Sequence, residues 1–508
     1  MASLNRRATF KPYTQSQPSL LPPSLDELIA ANHPVRVVNS VVDSLDLSVL
    51  FRSYEGGGAS SYHPSMLLKV VVYSYLRNIY SSRKMEEALK ENIHFMWLSG
   101  QSAPDHNTLA RFRSGRLRTS LREVFSQVVV LLSENGLVSL EESYVDGTKI
   151  EANAGRYTFV WGKAVKTNKE KMLGRVNELL AYADKLEESD SKTPALEFEK
   201  VSPEQLQATV DSLNERLRAK DIPKETRQVL RLAKKEWPDR LARYQQQEKI
   251  LAGRGSYSKT DPDATFMRMK DDHMGNGQLK PGYNLQISTQ NQIVTHFSVH
   301  SNPTDTKTLV PHLKGYQDEL GALPKKATAD AGYGSEENYE FLAESKIEAY
   351  VKYSRFHQDQ RKKKNPFNSA YWPQDTVADT IICPAGQTLS KVREYQSKTA
   401  AGNLQQITVY RASKCEACPL REKCFKAPGN REVEVNHRLN EHRAKAHKLL
   451  TSEEGIKRRK RRCCEVETVF GQVKQNKGFR RLLLKSKEKV QVELGLILLA
   501  HNCSKIAA

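Results

Sequence analysis

Two strand-like runs, Tyr283-Asn284-Leu285-Gln286-Ile287-Ser288 and Gln292-Ile293-Val294-Thr295-His296-Phe297-Ser298-Val299, are separated by only three residues, among them Gln290 and Asn291. A linker that short suits an antiparallel hairpin, because parallel neighbours need a long crossover. A strand-like segment at Asp146 precedes the hairpin. After it come a helical stretch from about Asp305 to Leu320, a strand from Ala327 to Asp330, a helix near Glu336 to Ser345 and a strand at Ile347-Glu348-Ala349-Tyr350-Val351. Purely parallel, doubly wound sheets fit the hairpin less well than an α/β sheet with mixed strand directions.

The mixed sheet is interrupted twice. Residues 1–140 read as a helical DNA-binding or dimerisation unit: Val35, Val38, Val41, Val42 and Leu45 keep helical spacing after Pro34, and Leu67, Leu68, Val71 and Tyr75 do so after Pro64. Ser82 to Glu91 reads as a shorter amphipathic helix, Pro104 to Thr108 as a turn and cap, and Leu121 to Glu134 as the closing helix. An ordinary bundle with a solvated basic face explains any one of these helices equally well. Residues 141–162 begin the sheet, and 163–260 form a helical insertion with apolar seams at Leu206, Val210, Leu213, Leu217 and at Met172, Val176, Leu179, Leu180, Leu186. Pro203 and Pro223 mark helix boundaries there, and a spacer or dimer arm is the expected role. Residues 261–354 resume the sheet. Residues 355–450 form a β-rich insertion with cysteines and strand candidates around Thr376 to Ile382, Leu404 to Arg411 and Glu432 to Asn436. Residues 451–508 return to the core with a helix. This order suits a ribonuclease H-like α/β core.

Three acids stand in that core: Asp146 in Tyr144-Val145-Asp146-Gly147-Thr148, Asp330 in Thr328-Ala329-Asp330-Ala331-Gly332, and Glu467 in Val466-Glu467-Thr468-Val469-Phe470-Gly471. The first two read as strand ends and the third as helical. Converging carboxylates can hold two divalent ions, which activate an oxygen nucleophile and stabilise the leaving oxygen at a phosphodiester. Mg²⁺, or Mn²⁺, needs few carboxylates because it keeps waters. Singly, each aspartate more often begins a turn or caps a helix. The joint pattern favours the catalytic reading. Glu465 and Glu467 flank the buried stripe of Val466, Val469, Phe470 and Val473 on opposite sides, which periodicity alone does not resolve. Lys474 follows Glu467 by seven residues, nearly two turns, so an acid for metal and a lysine for phosphate share a face.

Lys and Arg exceed Asp and Glu by a formal +20, which suits a polyanionic partner. Lys457-Arg458-Arg459-Lys460-Arg461-Arg462 precedes the helix of Glu467, and Lys474, Lys477, Arg480 and Arg481 extend it as a phosphate track. No apolar run approaches a bilayer span, and Met1 to Arg7 lacks the apolar region of a secretory signal, so a cytoplasmic protein is expected. The seven cysteines are then expected to be reduced or metal-bound. Cys383, Cys415, Cys418 and Cys424 have spacing that suits a structural Zn²⁺, with reduced, unliganded thiols as the alternative. Cys463 and Cys464 are expected to be buried packing residues. Nucleophilic Ser or Cys catalysis finds no pattern here.

The three acidic blocks, with Val466-Glu467-x-x-Phe470-Gly471-x-x-Lys474 and Asn476-Lys477-Gly478-Phe479-Arg480-Arg481, resemble bacterial insertion-sequence transposases of the DDE type, in particular the group numbered eleven-eighty-two. The resemblance extends to Asp146 through Asn153, Pro281 through Gln286, Thr304-Asp305-Thr306 and Pro104 through Thr108, and so spans nearly the whole chain. It implies Asp146, Asp330 and Glu467 as a metal-binding triad that cuts double-stranded DNA at element ends and joins the freed 3′-hydroxyl to target DNA. The two-ended reaction implies a homodimer. A metal-dependent nuclease without strand transfer, and a non-enzymatic DNA-binding protein of the same descent, are the alternatives. The related signature Tyr-x-x-Arg-x-x-x-Glu-x(6)-Lys is departed from. Cys463 stands four before Glu467, with Arg462 one residue further, and Arg459 stands where the signature has tyrosine.

Overall fold

The computed structural model describes residues 23–54, 61–187, 194–197, 200–218, 220–269, 277–375, 377–399 and 402–507. Met1 to Arg7 and Thr376, both used in reading the sequence, lie outside the described residues.

Strand β1 (Glu142–Glu151) carries Asp146 and is buried along almost its whole length. A short ribbon of β2 (Phe159–Trp161) and β3 (Ser256–Ser258) follows, and the chain between them makes helices Gly162–Leu186, Pro203–Leu217 and Lys224–Leu251. Pro203 occupies the first turn of its helix and Ser202 caps it in a reciprocal box with Gln205, while Pro223 is the cap of the next. The expected apolar seams meet here as a separate core, with Val176, Leu180, Leu206, Leu213, Trp237 and Leu241 at its centre.

The chain then returns as β4 (Thr265–Arg268), β5 (Leu279–Gln290), β6 (Ile293–His300), β7 (Lys326–Ala329) and β8 (Glu348–Val351). β4 and β6 pair antiparallel with β5, β5 pairs antiparallel with β1, and β1, β7 and β8 run parallel. This is a mixed α/β sheet whose order fits a ribonuclease H-like fold. The β5–β6 hairpin turns on Asn291 and Gln292, both with positive φ (56° and 62°), the shape whose twist matches paired strands. Non-glycine residues in that conformation need support. The Gln292 N–H donates to Glu465 at 2.8 Å, and its carbonyl accepts from His501 at 2.9 Å.

One face of the sheet shares a continuous core with the N-terminal helices and the last helix, Lys487–Ile506. That helix is apolar nearly all round and buried from Val492 to Cys503, as a central helix must be. Val145, Ala327 and Ala329 pack instead with Leu309, Leu313, Leu342, Ala446 and Leu450 of the helices on the other side. Residues 374–435 add a second, antiparallel sheet: β9 (Gln374–Asp375), β10 (Thr380–Ile382), β11 (Thr388–Lys398), β12 (Leu404–Ala412) and β13 (Glu432–Val435). Among the described residues no helix is long and apolar enough to cross a membrane.

Candidate active site

Val145 of β1 pairs with Ala329 of β7 in parallel register, so the residues that follow, Asp146 and Asp330, come side by side. β7 ends there. Asp330 caps a short 3₁₀ turn (Ala331–Tyr333) by accepting the Ala331 N–H, and Asp146 accepts the Gly147 N–H at 2.8 Å.

The third acid arrives on a helix laid over this part of the sheet. It runs from Glu453 to Asn476 and widens twice into π-helical turns, at Cys463–Glu467 and Gln472–Asn476. Three contacts set its position: Arg458 to Glu142 at 2.6 Å, Arg461 to the Tyr144 ring at 5.8 Å, and Glu465 to the Gln292 N–H. Val466, Val469 and Val473 are buried beneath it, as the apolar stripe requires.

Arg462 lies at the centre of the site. Its guanidinium is 2.9 Å from Asp146 Oδ2, 3.7 Å from Asp330 Oδ2 and 3.8 Å from Glu467 Oε1. Burial alone would lower the Arg462 pKa, but the three carboxylates offset it and hold it raised. The π turn explains how Arg462 reaches Glu467. Five residues of α-helix are about 1.4 turns, which would point the two side chains apart. The wider turn brings them to one side, and so absorbs the extra residue by which the chain departs from the related signature. Glu465 is buried elsewhere, bonded to Arg461 and to the hairpin turn.

A polar cluster lies next to the two aspartates. Asp305 accepts from Asn284 Nδ2 at 2.7 Å and Gln286 Nε2 at 2.9 Å, and Gln286 accepts the Tyr333 hydroxyl. Thr306 Oγ1 donates to the Gly332 carbonyl at 3.2 Å, and Asn338 bridges Thr306 and Tyr333. A Cβ on Gly147 would run into the side-chain ends of Gln286 and Asp305, so glycine lets this cluster close on β1 without displacing them. Burial, followed by the charges of Asp305 and Asp146, pushes the Tyr333 hydroxyl far up and keeps it a donor. The sequence reading singled out Asp305 only as part of a resembling motif; its amide partners on β5 are separated from it by a strand and a turn.

The basic residues divide. Arg458 is buried between Glu142 and Glu454, and Lys457 pairs with Glu453. Arg459 lies over the Phe356 ring and bonds the Leu450 carbonyl. Lys474 is buried, and burial lowers the half-buried Lys477, which donates to the Leu76 carbonyl. Arg480 and Arg481 are exposed. Arg458 is therefore engaged inside the protein rather than presented as part of a phosphate track. Cys463 and Cys464, expected to be buried, are exposed, because the π turn rotates them to the solvent side while Val466 packs.

Three carboxylates around a single guanidinium are hard oxygen donors whose chemistry suits Mg²⁺ or Mn²⁺. Arg462 stands between them, and among the described residues no three Asp, Glu, His or Cys side chains are gathered into a metal cage. The same holds for the expected zinc ligands. Cys383, Cys415, Cys418 and Cys424 line one pocket of about 30 Å³, yet Arg431 donates to the sulfurs of Cys424 (2.8 Å) and Cys415 (3.4 Å), and no closed four-thiol site forms. The zinc expectation finds no support in this geometry.

Residues 382–507, which include Arg462 and Glu467, match a family model described as "Transposase DDE domain", and residues 23–115 match one described as "Transposase domain (DUF772)". A search of curated proteins finds no match.

Proposed function

We propose that this chain is a DNA transposase of the insertion-sequence type, which cuts double-stranded DNA at element ends and transfers the freed 3′-hydroxyl into target DNA. The observation that carries the reading is the contact of one buried arginine with Asp146, Asp330 and Glu467, acids from a strand, a turn and a helix. The two transposase matches support the same reading.

Two divalent ions, when bound, would activate the attacking oxygen and stabilise the leaving one. Asp146, Asp330 and Glu467 would hold them. Arg462 neutralises the same carboxylates, so its guanidinium is the group that would have to move off them and would then be placed to meet a flanking phosphate. The rigid frame of β1, β7 and the pinned helix keeps the acids aligned for in-line displacement. Exposed Arg480 and Arg481 contribute phosphate contacts. A homodimer acting in the cytoplasm completes the proposal, since two element ends are processed.

The test is a supercoiled plasmid carrying the element's ends, incubated with Mg²⁺ and wild-type, Asp146→Ala, Asp330→Ala or Glu467→Gln protein. Joined products from the wild type alone support transposition. Nicked or linear products without joining would leave a nuclease instead.

A further inference from the structure

The cationic run Lys457 to Arg462 is largely engaged with the protein's own acids and carbonyls, whereas a second run, Arg361-Lys362-Lys363-Lys364, is not. All four of its side chains are exposed, the Lys364 ammonium lies 5.2 Å from the centre of the Tyr371 ring, and among the described residues none of the four makes an ion pair. Between Arg355 and Tyr371 the chain carries five Lys or Arg and one acid, Asp359. Both oxygens of that acid are taken, accepting from Tyr353 at 2.7 Å and from Tyr371 at 2.7 Å. Arg361, Lys363 and Lys364 line a groove of about 520 Å³ together with Gln358, Asn365, Asn368 and Tyr371, and no carboxylate lines it. Like charges held this close repel unless an anion is supplied from outside.

The place of the groove in the fold says which anion. The segment follows β8, and β8 pairs with β7 so that Val351 sits beside Ala329, the residue before Asp330. The Lys352 N–H donates to the Ala329 carbonyl at 3.3 Å, and a Cβ on Gly334 would lie 2.5 Å from the Lys352 carbonyl oxygen. The chain carrying the run thus leaves the sheet at the same edge as the candidate catalytic aspartate. Asn and Gln amides among flexible cations suit an extended row of phosphates rather than a single small anion.

We propose that Arg361 to Lys364 form a phosphate-binding track that holds the DNA backbone beyond the Asp330 edge of the active site. It rests on the transposase reading for the identity of the anion, but not on catalysis. Contacts of this kind position DNA without reading sequence.

The experiment measures binding of the full-length protein to two fluorescent 40-base-pair duplexes, one from the element end and one unrelated, in EDTA across a KCl titration. The comparison is wild type against a variant with Arg361→Gln, Lys362→Gln, Lys363→Gln and Lys364→Gln, whose melting temperature should match because the four side chains are exposed. Each lost phosphate contact lowers the salt slope by about 0.9. The expected result is weaker binding of both duplexes, with a slope lower by about 2–3.5 and an unchanged preference between them. Equal affinity and equal slope in the variant would overturn the track while leaving the DNA-binding reading intact. Salt-independent or absent binding by the wild type would instead overturn the functional reading on which it rests.

Discussion

Replacing Arg462 by Met removes the charge shared by three carboxylates while keeping an unbranched side chain of similar reach. The contact with Asp146 dominates the effect, because both side chains are nine-tenths buried and 2.9 Å apart. Deleting one member of a buried pair costs up to about 3–5 kcal/mol, less whatever the remaining partners of Asp146, the Gly147 N–H among them, continue to supply. Asp330 and Glu467 lie farther off, at 3.7 and 3.8 Å, and are 49% and 59% exposed, so water screens them. Each then adds no more than about 1 kcal/mol. The variant without metal is expected to lose up to about 3–5 kcal/mol, most of it through Asp146. The second expectation is a reversal on adding metal. Mg²⁺ at a hundred times its dissociation constant stabilises a protein by about 2.7 kcal/mol, and the variant binds it without competition from a guanidinium. Scanning fluorimetry in EDTA and in MgCl₂ gives both quantities. The variant should melt several degrees below wild type in EDTA and gain more from Mg²⁺. An unchanged melting temperature in EDTA, or a larger Mg²⁺ gain in the wild type, would refute the assignment of Arg462 as stand-in cation.

Three further outcomes are expected. Gly147→Ala drives a methyl into Gln286 and Asp305; overpacking of this kind destabilises by about 1–3 kcal/mol, and displacement of β1 should lower Mg²⁺-dependent cleavage with DNA affinity retained in a filter-binding assay. Gly495→Ala sets a Cβ 2.5 Å from Leu121 and 2.9 Å from Phe297, so it should lower the melting temperature by a comparable energy without touching the acids. Burial holds His300 and His501 at about 4, below their ordinary 6.5. Their folded pKa values are depressed, so the stability they contribute is present above pH 6.5 and drains away as pH falls toward 4, by about 1.4 kcal/mol per unit for each. His501→Gln should lessen the fall of denaturant-derived stability across that window, His300 keeping its share; an unchanged slope would show that His501 does not take up a proton on unfolding.

The hairpin, the strands that flank it and the two aspartates were legible because their signals are local: β-branched and aromatic alternation, a short linker, and Asp at the end of an apolar run. Glu467 against Glu465 was not decidable from an α-helical period, because the helix leaves that period at Cys463 and a π turn sets which side each acid takes. The same turn exposes Cys463 and Cys464, which were expected to be packed as small apolar side chains beside the helix. β11 escaped notice since Thr388 to Lys398 is polar on both faces and is held by strands on either side rather than by burial. The helix His437–Thr451 lies where only a β-rich insertion was expected; it buries only Ala446 and Leu450 fully, with Leu439 and Leu449 partly covered, a stripe too weak to stand out. Charge counting picked Lys457 to Arg462 over Arg361 to Lys364, although internal acids neutralise much of the first and none pairs with the second. Counting charges along a chain does not show which of them the fold answers from within.

The most direct measurement is Mn²⁺ binding to the full-length protein, followed by electron paramagnetic resonance, in wild type and in Asp146→Asn, Asp330→Asn, Glu467→Gln and Glu465→Gln. A common centre predicts that each of the first three weakens the same binding event at least tenfold, while Glu465→Gln leaves it unchanged. Full Mn²⁺ affinity in any one of those three, or a loss on Glu465→Gln as large as theirs, would contradict it.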